Sequence, residues 1–200
     1  TNNTLTRLDL GANKIGSEGA KHLADALKTN NTLTLRDALK TNNMLTTLSL
    51  YSNSIAAGVR CNINGMLARN KVLNATRDGA TTLSLRSNNI GSEGAKHLAD
   101  ALKTNNTLTT LYLRVNNIGP EGAKHLDALK TNNTLTWLPL WYNDIGDEVC
   151  HNIDAMLARN EVLKATSTGA TTLSLSERYI GSEGAKHWGD ALKTNNTLTE

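Results

Sequence analysis

Histidine, cysteine and the acids are the side chains of this 200-residue sequence best suited to catalysis or metal binding, and their spacing argues against both. His22, His97, His125 and His187 each hold the same place in a recurring GAKH segment, so they fall one per repeat. Ligands spread along a chain in this way do not surround one ion. A solvated helix face accounts for them, and His151 stands apart. Cys61 and Cys150 show no metal or redox spacing, and Cys61 aligns with His151 across a 90-residue period. Both read as small buried hydrophobes in helical segments. The GSEG strings lack the Gly-Lys-Ser/Thr ending of a phosphate loop. Each acid sits in a repeated helix-start position, and no paired carboxylates stand out. The expectation is a protein that is not an enzyme and has no catalytic, cofactor-binding or metal site.

Aromatic and arginine side chains tell more. The chain has three Trp, four Tyr and no Phe. Tyr112, Trp137, Trp141 and Tyr142 fall on two consecutive predicted strands, at positions that point out of the sheet. Arg86 and Arg114 fall beside them. Other copies hold Thr, Ser or Gly at the same places: Thr47, Thr82 and Thr110 correspond to Trp137, and Gly11 to Trp141. The frame stays fixed while these positions vary. Clustered Trp, Tyr and Arg match the composition of interface hot spots. Tyr112, Arg114, Trp137, Trp141, Tyr142 and Arg86 are therefore the candidate protein-binding patch. Pro139, within the same strand, leaves a sheet hydrogen bond unmade, and a distorted turn is expected there.

The elements that carry this patch come from internal repetition. IGSEGAKHLADALKTNNTLT occupies 15–34, recurs unchanged at 90–109, and returns at 180–199 with Trp188 and Gly189 as the two changes. LxL cores occur at Leu8/Leu10, Leu48/Leu50, Leu83/Leu85, Leu111/Leu113, Leu138/Leu140 and Leu173/Leu175. Each begins a unit of about 28 residues, with longer variants. Leu alternates near the strand period and points inward. Asn at 13, 53, 88, 116 and 143 then makes a turn by bonding backbone groups that the strand leaves free. Ile returns to the core. Ser17, Ser92, Asp147 and Ser182 are the expected N-caps, and Pro120 replaces Ser in one copy. Ala20, Leu23, Ala24 and Leu27 form one buried helical stripe. Thr-Asn-Asn ends the helix, with Asn in the left-handed cap.

Such a unit cannot bury its apolar face alone; stacked units share a core between a parallel sheet and a helix layer. Helices are wider than strands, so the stack curves with the sheet inside. The 31 Leu, 25 Asn and 26 Thr supply the stripes, turns and helix ends. The expected fold class is α/β, a solenoid or horseshoe with its parallel sheet concave and its helices convex.

The pattern LxxLxLxxNxIGxEGAKxLxxALKxN resembles leucine-rich repeats of the ribonuclease-inhibitor-like class. The NNTLT linker and GAKHLADALK helix are most similar to repeats of cytosolic nucleotide-binding leucine-rich-repeat receptors. The resemblance implies a cytoplasmic interaction scaffold that binds a protein ligand on the concave sheet, as a receptor's sensor or autoinhibitory array. Ran GTPase-activating proteins use the same repeat type, so regulation of an enzyme is an alternative. A degenerate structural fragment without its own activity is another.

Residues 1–200 read as one array of about six units, a fragment of a longer one, because both ends stop inside TNNTLT. One unit is cut to 12 residues at 29–40, where an irregular bulge or an extra helical turn is expected; a gene-model error is the alternative. Open strand edges favour self-association, and the oligomeric state stays open. A net charge of +3 without a basic stripe argues against nucleic acid, and no apolar run reaches membrane-spanning length. NNT sequons at Asn2, Asn30, Asn105, Asn132 and Asn195 read as turn residues, not glycan sites.

Overall fold

Leucine alternation makes very short strands. A computed structural model describes residues 4–16, 18–20, 22, 43–175, 181–193 and 198. The shortened unit at 29–40, Arg178, and the side chains of His187 and Trp188 lie outside the described residues. Strand β1 is Arg7–Asp9, β2 Thr47–Ser49, β3 Thr82–Ser84 and β4 Thr110–Tyr112. β1 pairs with β2 and β3 with β4, both parallel, in the register Leu8 to Leu48 and Leu83 to Leu111. Leu48, Leu50, Leu85, Leu111, Leu113 and Leu138 are buried, as the inward alternation requires. Complete burial of each Leu is worth roughly 1.5–3 kcal/mol.

The asparagine after each strand does more than close its own turn. Asn116 donates its side-chain amide to the carbonyls of Leu113 (2.7 Å) and of Leu85 in the preceding unit (2.8 Å). Its Oδ1 accepts the Asn88 N–H at 3.0 Å. Asn143 repeats the scheme on Leu140, Leu113 and the Asn116 N–H. Asn53 bonds the Leu10 carbonyl and the Ile15 N–H. The turn needs this support, because the residues on both sides of every turn Asn have positive φ. They are Ala12 and Lys14, Ser52 and Ser54, Ser87 and Asn89, Val115 and Asn117, and Tyr142 and Asp144. Val115, β-branched, at φ 59° is the most unfavourable of them. The turn after Pro139 keeps the same geometry, so the expected distortion there does not occur.

Helices follow the turns: α1 Ala57–Arg77, α2 Gly91–Thr104, α3 Gly119–Lys124, α4 Asp147–Thr168 and α5 Gly181–Leu192. Ala95, Leu98, Ala99 and Leu102 of α2 form the buried stripe, and Pro120 sits in the first turn of α3. Ser92 and Asp147 lie inside their helices and make no side-chain cap, which corrects the N-cap expectation. The neighbouring unit removes the need in two units: the Gly91 N–H donates to the Asn116 carbonyl and the Gly119 N–H to the Asn143 carbonyl, both at 2.8 Å. The helix end also differs. Asn105 is extended (φ −73°) rather than left-handed, and its side chain accepts the Leu108 N–H at 2.9 Å, starting the next strand. Asn132 does the same for the Leu135 N–H at 2.8 Å, and both asparagines are buried.

One unit tightens its helix. α3 passes into a 3-10 helix, His125–Lys130, where HLDALK lacks one Ala of the HLADALK in α2. Ala123, Leu126 and Leu129 then recur every third residue and all three are buried, which is the 3-10 period.

A continuous sheet does not form among the described residues. The sheet stops between β2 and β3, and residues 171–175 make no strand beside 137–141. Both gaps follow a long helix. α1 has 21 residues against 14 in α2. The difference of seven adds about 10 Å of helix and carries the next strand past its pairing position. The core divides there as well: Ile63, Met66 and Leu67 of α1 pack with Leu45, Leu48 and Leu50, while Ala68, Val72 and Ala75 join the larger cluster around Leu85, Leu98 and Leu111.

Candidate functional site

The register of the strands sets the candidate patch in rows. The Ser87 N–H donates to the Arg114 carbonyl, and the Val115 N–H to the Trp141 carbonyl, each at 3.1 Å. Arg86, Arg114 and Trp141 therefore stand side by side on three successive units. Tyr112 and Pro139 form the row below, linked through Leu113 N–H to the Pro139 carbonyl at 3.1 Å. Thr110 pairs with Trp137 in the row below that. This single pair is all that the 137–141 segment makes with β4 in full. The next would need a donor at 139 toward the Leu111 carbonyl, and proline has none. The unmade hydrogen bond expected from the sequence is thus present.

Exposure follows the rows. Trp137 is 41% exposed, Trp141 61% and Tyr142 71%. Arg86 is exposed, while Tyr112 and Arg114 are half-buried. The Arg114 guanidinium carbon lies 4.6 Å from the centre of the Tyr142 ring, a cation–π contact worth about 0.5–1 kcal/mol at such a site. Arg114 Nε is buried without a hydrogen-bond partner among the described residues. The structure thus joins Arg114 to Tyr142 directly and places the remaining patch residues in neighbouring rows.

Beside the aromatic residues, on the side away from β4, lies a cleft of about 380 Å³. Trp137, Trp141 and Tyr142 line it with Asp144, and α4 contributes Cys150 and Asp154. Cys150 is half-buried, not fully buried as expected. Burial pushes its thiol pKa up, and the Asp154 and Asp147 carboxylates push it further. Asp144 and Asp154 thus put two carboxylates on the cleft lining. A second cleft, about 290 Å³, lies beside β2 and is lined by Tyr51, Ser52, Arg60, Asn64 and Asn89. Across the 90-residue period, Tyr51 corresponds to Trp141, Arg60 to Cys150 and Asn64 to Asp154.

The clefts and Tyr51, 63% exposed, were not singled out from the sequence. The signal lay in the two 35-residue intervals, Leu48 to Leu83 and Leu138 to Leu173, which mark the gaps. Tyr51 covers Gly11: a Cβ on Gly11 would fall 1.9 Å from the Tyr51 ring. His22 and His125 are exposed, and no group of three or more His, Cys, Asp or Glu among the described residues is placed to hold a metal ion. No described helix is long and apolar enough to cross a membrane.

Comparison with known proteins agrees with the repeat reading. A leucine-rich repeat family model matches residues 1–24, 81–99 and 104–126. No curated protein matches the sequence. Among solved structures the chain is similar to leiomodin-1 actin-binding site 2, with 23% identity, 82% of this chain and 84% of that chain covered, and a TM-score of 0.42. Over the segments matched by the family model the chain is similar to leucine-rich repeats, and its described residues form helices and short parallel strands.

Proposed function

We propose that this chain is a protein–protein interaction scaffold whose strand face around Trp137–Tyr142 binds a protein ligand. The exposure of Trp137, Trp141 and Tyr142 on one edge of the repeats is the observation that carries the reading. Isolated exposed apolar residues are ordinary, but three large aromatics within six residues form a patch of the kind that marks an interaction surface. Tyr112, Arg114 and Arg86 extend it across two more units, and the Arg114–Tyr142 contact orders part of it before a partner arrives. Preordered side chains lose less freedom on binding. We place the array in the ribonuclease-inhibitor-like class and in the cytoplasm, as a sensor or autoinhibitory region of a nucleotide-binding receptor; the GAKHLADALK and NNTLT segments support this assignment. The test is capture of a partner by the wild-type chain and by a Trp141→Ala, Tyr142→Ala double variant, with thermal melting as the control for folding. At least a tenfold loss of capture at unchanged melting temperature is expected. Unchanged capture overturns the reading.

A further inference from the structure

Residues 138–140 form an open strand edge. The flanking Trp137 and Trp141 carbonyls and that of Pro139 accept hydrogen bonds from Leu111, Val115 and Leu113, so one side of the segment is occupied. The backbone N–H groups of Leu138 and Leu140 make no hydrogen bond among the described residues. Residues two apart on a strand point to the same side, so both donors face the gap where the next strand fails to pair. Leu138 is only 5% exposed. An acceptor that enters the gap completes both hydrogen bonds.

We propose that the cleft beside Leu138 and Leu140 takes an extended peptide as an added strand, with a Lys or Arg side chain of that peptide held between the aromatic residues and Asp154. The proposal rests on the reading of the Trp137–Tyr142 face as a binding surface, and names the chemistry of its partner segment. Two observations choose a cationic peptide. Asp144 and Asp154 line the cleft, and the raised thiol of Cys150 registers the negative field of Asp154 and Asp147. Trp137, Trp141 and Tyr142 supply ring faces, which attract a cation further. Strand addition gives affinity through main-chain hydrogen bonds, and the pocket for one side chain gives specificity.

The molecule contains its own control. The cleft beside β2 has the same backbone frame, but Arg60 stands where the other has Cys150 and Asn64 where it has Asp154. The Arg60 guanidinium is turned to the Ile55 carbonyl at 2.8 Å and leaves a positive charge at the rim. A cationic peptide is repelled from it. The acidic cleft is the one it selects.

Two acetylated, amidated hexapeptides provide the test, one alternating valine and lysine and the other alternating valine and glutamate. Each is titrated into the full 15N-labelled chain, and amide shifts and hydrogen exchange are followed. The lysine peptide should shift the Leu138 and Leu140 amides, slow their exchange, and bind about tenfold tighter than the glutamate peptide. Asp154→Asn, which copies the residue at position 64, should keep the fold and remove most of that preference. Equal binding of both peptides, no response at Leu138 and Leu140, or an equal response beside β2 overturns the inference. If the lysine peptide fails while capture of a protein partner still depends on Trp141 and Tyr142, only the inference falls. If the peptide binds as expected and partner capture ignores both residues, only the wider reading falls.

Discussion

Asn143 holds Asn116 in place: its Oδ1 accepts the Asn116 backbone N–H at 2.9 Å, and Asn116 treats Asn88 the same way at 3.0 Å. The turns are thus chained unit to unit through side chains. Asn116 is fully buried and serves four backbone groups in two units. Asn116→Ala strands the Leu85 carbonyl and the Asn88 N–H, each a desolvated polar group, and leaves the Leu113 carbonyl with only its bond from Asn143. We expect a loss of about 3 kcal/mol, read by chemical denaturation. Asn116→Asp should cost more, because a carboxylate in place of the amide turns an oxygen toward those two carbonyls. Asn13, exposed at the first turn, makes only a local bond to the Gly11 carbonyl among the described residues, and Asn13→Ala should cost under about 1 kcal/mol. Equal losses at 116 and 13 would dismiss the chained-turn account.

Helix contact between α1 and α2 depends on two glycines. A Cβ on Gly65 would fall 2.1 Å from Gly94 Cα, a contact with backbone that no side-chain rotation relieves. Gly65→Ala should force the helices apart and cost about 1–3 kcal/mol. Gly58→Ala in the same helix meets nothing within 4 Å, and helix propensity makes it neutral or mildly stabilising. Melting of the two variants separates crowding from propensity, because propensity alone predicts the same sign for both.

Cys150 provides a probe of the acidic cleft. Its thiol pKa is raised by burial and then by Asp154 and Asp147, so at neutral pH less of it is the reactive thiolate than for a free cysteine. Alkylation by iodoacetamide should be slower than that of a cysteine in an unfolded peptide, and should accelerate toward higher pH. Asp154→Asn removes one of the raising charges and should speed the reaction at pH 7. An unchanged rate would mean that Asp154 does not reach the thiol.

Much of this architecture was legible because the repeat encodes it locally. Leu85, Leu111 and Leu113 point inward by alternation alone, and the turn asparagines recur where the backbone needs them. Helix starts were misread because their first N–H groups are satisfied from the next unit, as in Gly91 on Asn116, and a local sequence window does not contain that partner. The aromatic patch emerged from comparing copies, since Trp137 and Trp141 replace small residues on a constant frame. The clefts did not emerge in that way. They exist because strands fail to meet after long helices, which is a property of two units and not of either one. Once the gaps are placed, the 90-residue period explains why they come as a pair with different linings.

Pro139 has no backbone donor, which limits the pairing of its segment with β4 to Thr110 and Trp137. Pro139→Ser puts back the residue type found at position 49, where β2 is a regular strand. Two effects then oppose each other. A new hydrogen bond to the Leu111 carbonyl contributes about 0.5–1.5 kcal/mol. Removing proline frees the unfolded chain and costs about 0.4–1 kcal/mol. Near-cancellation means that the melting temperature is a poor reporter. Hydrogen exchange is the better one, because it reads the new amide at 139 directly. That amide should be protected as well as the Leu113 amide, which already donates to the carbonyl of the same residue. An amide at 139 that exchanges as fast as an exposed loop would show that something other than proline ends the ladder.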